Sequence, residues 1–239
     1  DVWTRQKNVH DYSTVFEDAW EEDVKRMVEK DFNHPSVILY STGNEIQEAG
    51  SAKGAQTNRR INEKIKQLDD TRYTVSAVNG MLAGQDRLGE ILAQAMGISQ
   101  EELAASMAAG QEGAGQADTE PASAGNENGG TDTEQTSAGN EGGGADALNG
   151  MMSVMTGPLA DAIATSPILA EMIEEYVSVT DIAGYNYLTA LHEAEKERHP
   201  NRVVLGTETF PADIVRLWNI VKSNPHVIGD MTWTGYDYL

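Results

Sequence analysis

Short apolar segments alternate with amphipathic segments along this chain of 239 residues. Strands are predicted at residues 37–40, 73–78, 177–188, 202–210 and 226–233. A period near 3.6 residues predicts helices at residues 14–31, 54–68, 87–96, 159–176, 188–200 and 213–224, with a break at Ser166 and Pro167. Alternation of this kind predicts a parallel sheet with crossover helices, which is an α/β fold.

The first predicted strand, residues 37–40, runs directly into a Ser-Thr-Gly-Asn-Glu turn. Its sequence Val-Ile-Leu-Tyr has no polar alternation, so we expect a strand buried on both faces. Gly43, Asn44 and Glu45 follow where the strand gives way to a loop. Because ligands bind at the carboxyl ends of parallel strands, these residues are candidates for a functional site.

The fourth predicted strand also ends on an acid, since its apolar run is followed by Gly206, Thr207 and Glu208. A carboxylate at the end of a buried strand is costly to desolvate without a partner or a task. Glu45 and Glu208 are therefore expected to face one another, as a proton-donating acid and an ionised nucleophile do in glycoside hydrolysis. Spacing alone indicates this pairing only weakly, and the alternative is that both are loop-end acids or ion-pair partners.

Composition limits the partners of the chain. The net charge of −21 argues against nucleic acid and anionic membranes, because both require a basic face. No apolar run approaches the roughly 20 residues of a membrane-spanning helix. The chain has no cysteine, which excludes disulfides and thiolate metal sites and fits a reducing compartment. No cofactor is expected, and the sequence gives no support for a divalent cation.

Regular patterning stops in the middle of the chain. Residues 101–150 are acidic and contain a repeat, TEPASAGNENGG followed by TEQTSAGNEGGG. They hold too little apolar bulk to offset their ordering entropy, so a disordered acidic insertion is predicted there. The insertion separates residues 1–100, with the first candidate acid, from residues 151–239, with the second.

Five motifs resemble glycoside hydrolase family 2 in order and spacing. DFNHPSVILYSTGNEI is similar to the acid/base motif on the fourth strand of that family's (β/α)₈ TIM barrel. RYTVSAVNG and TDIAGYNYL resemble its fifth and sixth strands, GTETF its nucleophile strand, and VIGDMTWTGYDYL its eighth strand. The resemblance therefore implies the C-terminal five-eighths of a barrel.

The resemblance also implies roles for the candidate residues in a retaining double displacement. Glu45 would be the acid/base, Asn44 would bind the sugar 2-hydroxyl, and Glu208 would be the nucleophile. Tyr187 or Tyr185, taken to lie on the same strand face, would donate to Glu208, and we prefer Tyr187. Trp233 would form the pocket floor beneath the sugar ring, and no metal ligand is implied.

Asn79 ends the second predicted strand and is expected either to line the pocket or to act in a turn. Other residues are predicted to be structural: His34 in the turn before the first strand, Trp20 and Trp218 in the core, and His192 and His199 on a solvated helix face.

The resemblance begins near the end of the family's third strand. We therefore expect three barrel strands and β-sandwich domains to belong to a parent chain. The predicted activity is hydrolysis of terminal β-D-galactosides, with β-glucuronides or β-mannosides as alternatives. Glucuronides are less expected, because no Lys or Arg stands beside the motifs. A catalytically incomplete carbohydrate-binding or scaffold remnant is the other alternative. A cytoplasmic bacterial location is expected, although any leader would precede Asp1.

Overall fold

The computed structural model describes residues 2–114 and 157–235, and in its first part the side chains up to residue 108. A sheet of five strands lies at its centre. The strands are β1 (Leu39–Asn44), β2 (Tyr73–Asn79), β3 (Ile182–Asn186), β4 (Val203–Thr209) and β5 (Val227–Thr232). They lie in sequence order and every neighbouring pair is parallel. The predicted parallel α/β sheet is therefore confirmed.

The helices of the described residues lie between the strands and before the first one. They are α1 (Phe16–Asp31), α2 (Ala52–Leu68), α3 (Gly80–Ala83), α4 (Leu88–Met96), α5 (Gln100–Ala114), α6 (Gly157–Ala164), α7 (Pro167–Val177), α8 (Leu191–Arg198) and α9 (Ile214–Ser223). Helix α2 shows why these boundaries arise. The hydroxyl of Ser51 caps its N-terminus by accepting from the amide of Gly54 at 3.1 Å, and Ile61 and Ile65 form its buried face. The cap and the apolar stripe together orient the helix on the sheet.

Apolar clusters cover both faces of the sheet. The larger cluster lies between the sheet and the helices and includes the fully buried Tyr176, Tyr185 and Leu169. Val75, Ile182 and Leu205 form a separate, smaller cluster with Leu39 and Val203. Ala183 follows Ile182 and Val204 precedes Leu205, and both belong to the larger cluster. Because successive side chains of a strand point to opposite faces, the two clusters lie on opposite faces of the sheet.

Two strands carry an extra residue near their carboxyl ends. Ser41 of β1 pairs with Val75 of β2, and the next pair is Asn44 with Ala77, so β1 uses three residues where β2 uses two. Along β4, Tyr185 pairs with Gly206 and the next residue, Asn186, pairs with Glu208, so Thr207 is the additional residue. Such bulges change the direction of the side chains that follow them. Both bulges adjoin a candidate catalytic acid.

The first strand differs from its prediction. It was expected to be buried on both faces over residues 37–40, but Ile38 is 68% exposed and precedes the strand. Within β1, only Tyr40 of that group is buried, against the larger cluster. In the described part of the chain β1 pairs with β2 alone, so its other edge and part of its inner face contact no strand.

The central segment also differs in part. Helix α5 continues to Ala114, so the first residues of the predicted disordered insertion are helical. The glutamates at positions 101 and 102 lie in the first turn of this helix, where negative charge is favourable. The rest of the predicted insertion, up to residue 150, lies outside the described residues.

Two structural predictions are wrong. Trp218, expected in the core, is 57% exposed on α9. His192, expected in solvent, is fully buried, because Gly206 of β4 leaves room for its ring. A Cβ on Gly206 would lie only 2.9 Å from Cε1 of His192.

Other predictions of this kind agree with the structure. Trp20 is buried, and the carbonyl of His34 accepts from the amide of Val37 in the turn before β1.

Over residues 2–114 and 157–235, no helix combines the length and apolarity of a membrane span.

Candidate active site

The first acid, Glu45, directly follows the last residue of β1 with a left-handed φ of 55°. Its amide donates to the carbonyl of Ala77 on β2 at 2.8 Å, which holds the turn against the sheet. The side-chain amide of Asn79 donates to Glu45 Oε1 at 2.8 Å. The carboxylate is thereby fixed at the carboxyl end of the sheet.

The second acid, Glu208, lies in β4 just after the extra residue of the bulge. The hydroxyl of Tyr187 donates to Glu208 Oε1 at 2.5 Å, and the amide of Tyr187 donates to the carbonyl of Glu208 at 2.8 Å. The ring of Tyr187 packs on Phe210 with centroids 4.5 Å apart. Side chain, main chain and ring together place the Tyr187 hydroxyl on this acid.

Backbone strain concentrates at the site. Among the residues that the structure describes, Glu45 and Tyr187, with φ of 55° and 61°, are the non-glycine residues in the left-handed region. Such a conformation costs about 1–3 kcal/mol at each residue and persists where surrounding contacts enforce it. Both residues immediately follow a strand, and the left-handed step turns each side chain out of the regular alternation.

The pKa of Glu208 is raised above its ordinary value. Burial is the largest cause, and the negative charge of Glu45 adds to it. The hydrogen bond from Tyr187 acts in the opposite direction, because it stabilises the ionised form. The hydroxyl of Tyr187 therefore limits the rise in the pKa of Glu208.

Asn186, which the sequence interpretation did not single out, joins the two acids. It is the last residue of β3 and is fully buried. Its Nδ2 lies 3.3 Å from Glu45 Oε1, 3.2 Å from Glu208 Oε2 and 2.9 Å from Asn44 Oδ1. A polar amide at the carboxyl end of an otherwise apolar strand was the signal available in the sequence.

This shared contact limits the distance between the acids. Glu45 Oε1 and Glu208 Oε2 can be no farther apart than about 6.5 Å, the sum of their 3.3 and 3.2 Å distances to Asn186 Nδ2. The two residues are 163 positions apart in sequence. The sheet thus brings together the two carboxylates that the motifs singled out.

The two tyrosines considered as partners of Glu208 do not share a strand face. Tyr185 is 1% exposed and belongs to the cluster under the helices. Tyr187 lies beyond the end of β3 and reaches Glu208. The expectation that both share a face is wrong, because the strand ends at Asn186 and Tyr187 adopts a left-handed conformation.

Asn79 contacts the first acid and also caps a helix, and its place in a sugar pocket stays a prediction. Its Nδ2 contacts Glu45, while its Oδ1 accepts from the amide of Met81 at 3.0 Å and so caps α3. Asn79, Asn186 and Tyr187 also line a cavity of about 20 Å³, large enough for one water molecule. The other walls are Gly80, Met81, Ala160, Ile163 and Leu188.

Trp233 lies at the end of β5, where its amide donates to the carbonyl of Thr209 at 2.8 Å. It is 56% exposed, so an aromatic surface is accessible at the carboxyl end of the sheet. Its place as the floor of a sugar pocket stays a prediction.

A cation also lies at the site. Lys7 Nζ donates to the carbonyl of Glu45 at 3.1 Å, although Lys7 is 38 residues away in sequence. Lys7 lies outside all five motifs, so its approach to Glu45 is seen only in the folded chain. Within residues 2–114 and 157–235, no group of three or more His, Cys, Asp or Glu side chains could hold a metal ion.

Known proteins are similar to this chain in sequence and in fold. Residues 5–108 match the family described as glycosyl hydrolases family 2, TIM barrel domain. β-Galactosidase BoGH2A of Bacteroides ovatus is 40% identical over 57 residues, which are 24% of this chain and 7% of that protein.

Solved structures extend the likeness across the fold. A glycosyl hydrolase family 2 member from Bacteroides cellulosilyticus, solved from microfluidic crystals, aligns with 98% of this chain at a TM-score of 0.58 and 22% identity. A second structure is that of a family 2 member from strain DSM 14838 of that species. It aligns with 95% of this chain at a TM-score of 0.54 and 22% identity.

The chain spans 19% of each of those two structures. Its five parallel strands correspond to part of a TIM barrel, as the motifs predicted. The family match covers Asn44, Glu45 and Asn79, and the structural alignment extends over the strands that carry Tyr187 and Glu208. This chain is therefore similar to part of a glycosyl hydrolase family 2 TIM barrel domain, in sequence over residues 5–108 and in fold across the described strands.

Proposed function

We propose that this chain supplies the catalytic acids of a retaining exo-glycosidase that hydrolyses terminal β-D-galactosides. The observation that supports this best is the approach of Glu45 and Glu208 to one amide nitrogen. Retaining enzymes hold their carboxyl groups about 5–5.5 Å apart, whereas inverting enzymes need about 6.5–9.5 Å to admit a water molecule. The two oxygens that contact Asn186 Nδ2 are at most about 6.5 Å apart, which lies at the lower end of the inverting range and is compatible with retention.

We assign the roles of the two acids from the motifs, and the contacts of Glu208 are consistent with that assignment. Glu208 accepts from Tyr187 and Asn186, and both donors favour its ionised form. It would attack the anomeric carbon, while Glu45 gives its proton to the leaving oxygen. In the second step Glu45 takes a proton from water, the water oxygen bonds to the anomeric carbon, and the electron pair of the broken bond returns to Glu208.

The choice of β-galactosides rests on similarity alone. BoGH2A, the relative that shares 40% identity over 57 residues, is a β-galactosidase. Lys7, 3.1 Å from the carbonyl of Glu45, makes β-glucuronides the second candidate, because an ammonium group near the site could pair with a sugar carboxylate.

The test uses protein expressed from the whole reading frame that contains this chain. Aryl β-galactoside, β-glucuronide and β-mannoside are compared as substrates, and NMR identifies the first anomer released. We expect the galactoside to be cleaved fastest, with retention. Release of the inverted anomer would contradict the assigned roles.

Two substitutions then separate the acids. Glu208→Gln should abolish turnover of every substrate. Glu45→Ala should retain partial activity on aryl glycosides with good leaving groups, and added azide should increase it by attacking the glycosyl-enzyme in place of activated water. Glu48→Gln is the control, because Glu48 is a buried glutamate close to Glu45 in sequence whose carboxylate accepts from the amides of Thr4 and Arg5. Full activity of Glu208→Gln would exclude the proposal.

A further inference from the structure

The amide of Asn186 has more acceptors than it can satisfy at one time. An NH₂ group carries two hydrogens, yet Asn44 Oδ1, Glu45 Oε1 and Glu208 Oε2 all lie within 3.3 Å of its nitrogen. At least one of the contacts must therefore be shared or exchanged.

A second contact fixes which end of the amide faces the acids. The hydroxyl of Thr207 donates to Asn186 Oδ1 at 2.6 Å. If the side-chain amide of Asn186 were reversed, its oxygen would face two carboxylate oxygens and repel them. Its nitrogen would then face the hydroxyl of Thr207, which would lose its acceptor. The bulge in β4 makes the observed arrangement possible, because consecutive residues Thr207 and Glu208 both reach the side chain of Asn186.

The proposed double displacement moves negative charge from one side of this amide to the other. Before reaction, Glu208 is ionised and Glu45 is protonated. In the glycosyl-enzyme, an oxygen of Glu208 is bonded to carbon and carries no charge, while Glu45 has given up its proton. The acceptor that most needs a donor has then changed from Glu208 to Glu45, and both lie within 3.3 Å of the same nitrogen.

Resting on that proposed function, we propose that Asn186 is a shared donor that stabilises whichever catalytic glutamate is charged, and that Thr207 is the positioning residue that orients it. Three other contacts of the described residues involve one acid each. Tyr187 donates to Glu208, whereas Asn79 donates to Glu45 and Lys7 contacts its carbonyl. Asn186 is the contact that serves both halves of the reaction.

The first test is Asn186→Ala, followed by stopped-flow kinetics with an activated aryl glycoside. Both acids carry partial negative charge beside the oxocarbenium-like centre of each transition state, so loss of the shared donor should slow both glycosylation and deglycosylation, by about 10- to 100-fold. The acid limb of kcat/KM should also move to higher pH, because ionised Glu208 loses a donor. A change in KM alone, or in one chemical step alone, would overturn the proposal.

The second test addresses orientation and does not require the alanine variant to fold. Thr207→Val removes the hydroxyl at nearly constant shape, whereas Thr207→Ser keeps it. Thr207→Val should reduce both chemical rates and shift the acid limb in the same direction as Asn186→Ala, while Thr207→Ser should resemble the parent protein. Equal behaviour of the two Thr207 variants would refute the positioning role.

The outcomes also distinguish this inference from the proposed function. If Glu208→Gln keeps full activity, the proposed function fails, and with it any charge exchange at Asn186. If Glu208→Gln is inactive but Asn186→Ala leaves the acid limb and both chemical rates unchanged, the glycosidase assignment stands and the shared donor alone is refuted.

Discussion

Removing the hydroxyl of Tyr187 should change the pH dependence of catalysis. Tyr187→Phe deletes the 2.5 Å donor to Glu208 and keeps the ring that packs on Phe210. The pKa of Glu208 is already raised by burial and by the charge of Glu45, and the tyrosine hydroxyl opposes both effects. Without the hydroxyl, that pKa must rise further.

The size of the shift follows from the strength of the lost bond. A hydrogen bond to a charged group contributes about 1.5–3 kcal/mol, and partial exposure of Glu208 places this one near the lower end. About 1.4 kcal/mol corresponds to one pKa unit. Since the proposed mechanism needs ionised Glu208, the acid limb of kcat/KM should move up by about one unit, with a loss of about tenfold on the acid side.

The assay is kcat/KM for an aryl β-glycoside measured across the acid limb. Tyr185→Phe is the matched control, since Tyr185 is a buried tyrosine on the same strand that faces the helices. It should lower stability and leave the pH profile in place. An unmoved acid limb in Tyr187→Phe, or an equal shift in Tyr185→Phe, would refute the reasoning.

Two further outcomes concern the stability of the fold. Arg202→Met removes the 2.7 Å partner of Glu195, whose side chain is 5% exposed, and should lower the free energy of unfolding by about 3–5 kcal/mol because a buried charge is left unpaired. Urea denaturation measures this loss, and a change below about 1 kcal/mol would show that the pair matters little. Gly184→Ala places a Cβ 2.1 Å from the carbonyl oxygen of Ser76 and should destabilise the sheet by about 1–3 kcal/mol. Its control, Gly89→Ala in α4, meets nothing within 4 Å and should stabilise by about 0.5–1 kcal/mol, so a similar loss in both variants would contradict the steric argument.

The order of strands and helices could be predicted because hydrophobic period is a local property of sequence. The acids could be predicted for a related reason, since Glu45 and Glu208 both close apolar runs. Contacts between distant segments could not be predicted in this way. Lys7 reaches Glu45 through the path of the N-terminal segment, and no spacing in the sequence records that approach.

The errors share a physical cause. Tyr185 and Tyr187 were predicted to share a face because strand alternation was assumed to continue through residue 187. The strand ends at Asn186, and the left-handed backbone of Tyr187 points its side chain elsewhere. Burial was predicted from apolar composition for Ile38, although exposure depends on which elements pack against a residue. His192 was placed in solvent because its helix is polar, whereas its burial depends on a missing side chain at Gly206.

Because the extra residue in β4 directly precedes Glu208, the number of residues in that strand determines where the carboxylate of Glu208 lies. Deleting Thr207 would restore regular pairing and bring Glu208 into the position that the inserted threonine now holds beside Asn186. Adding one residue upstream would instead turn the acid toward the helices. Loops between the helices can change length without this penalty, so variation in length should be found there and should be rare between Val203 and Thr209.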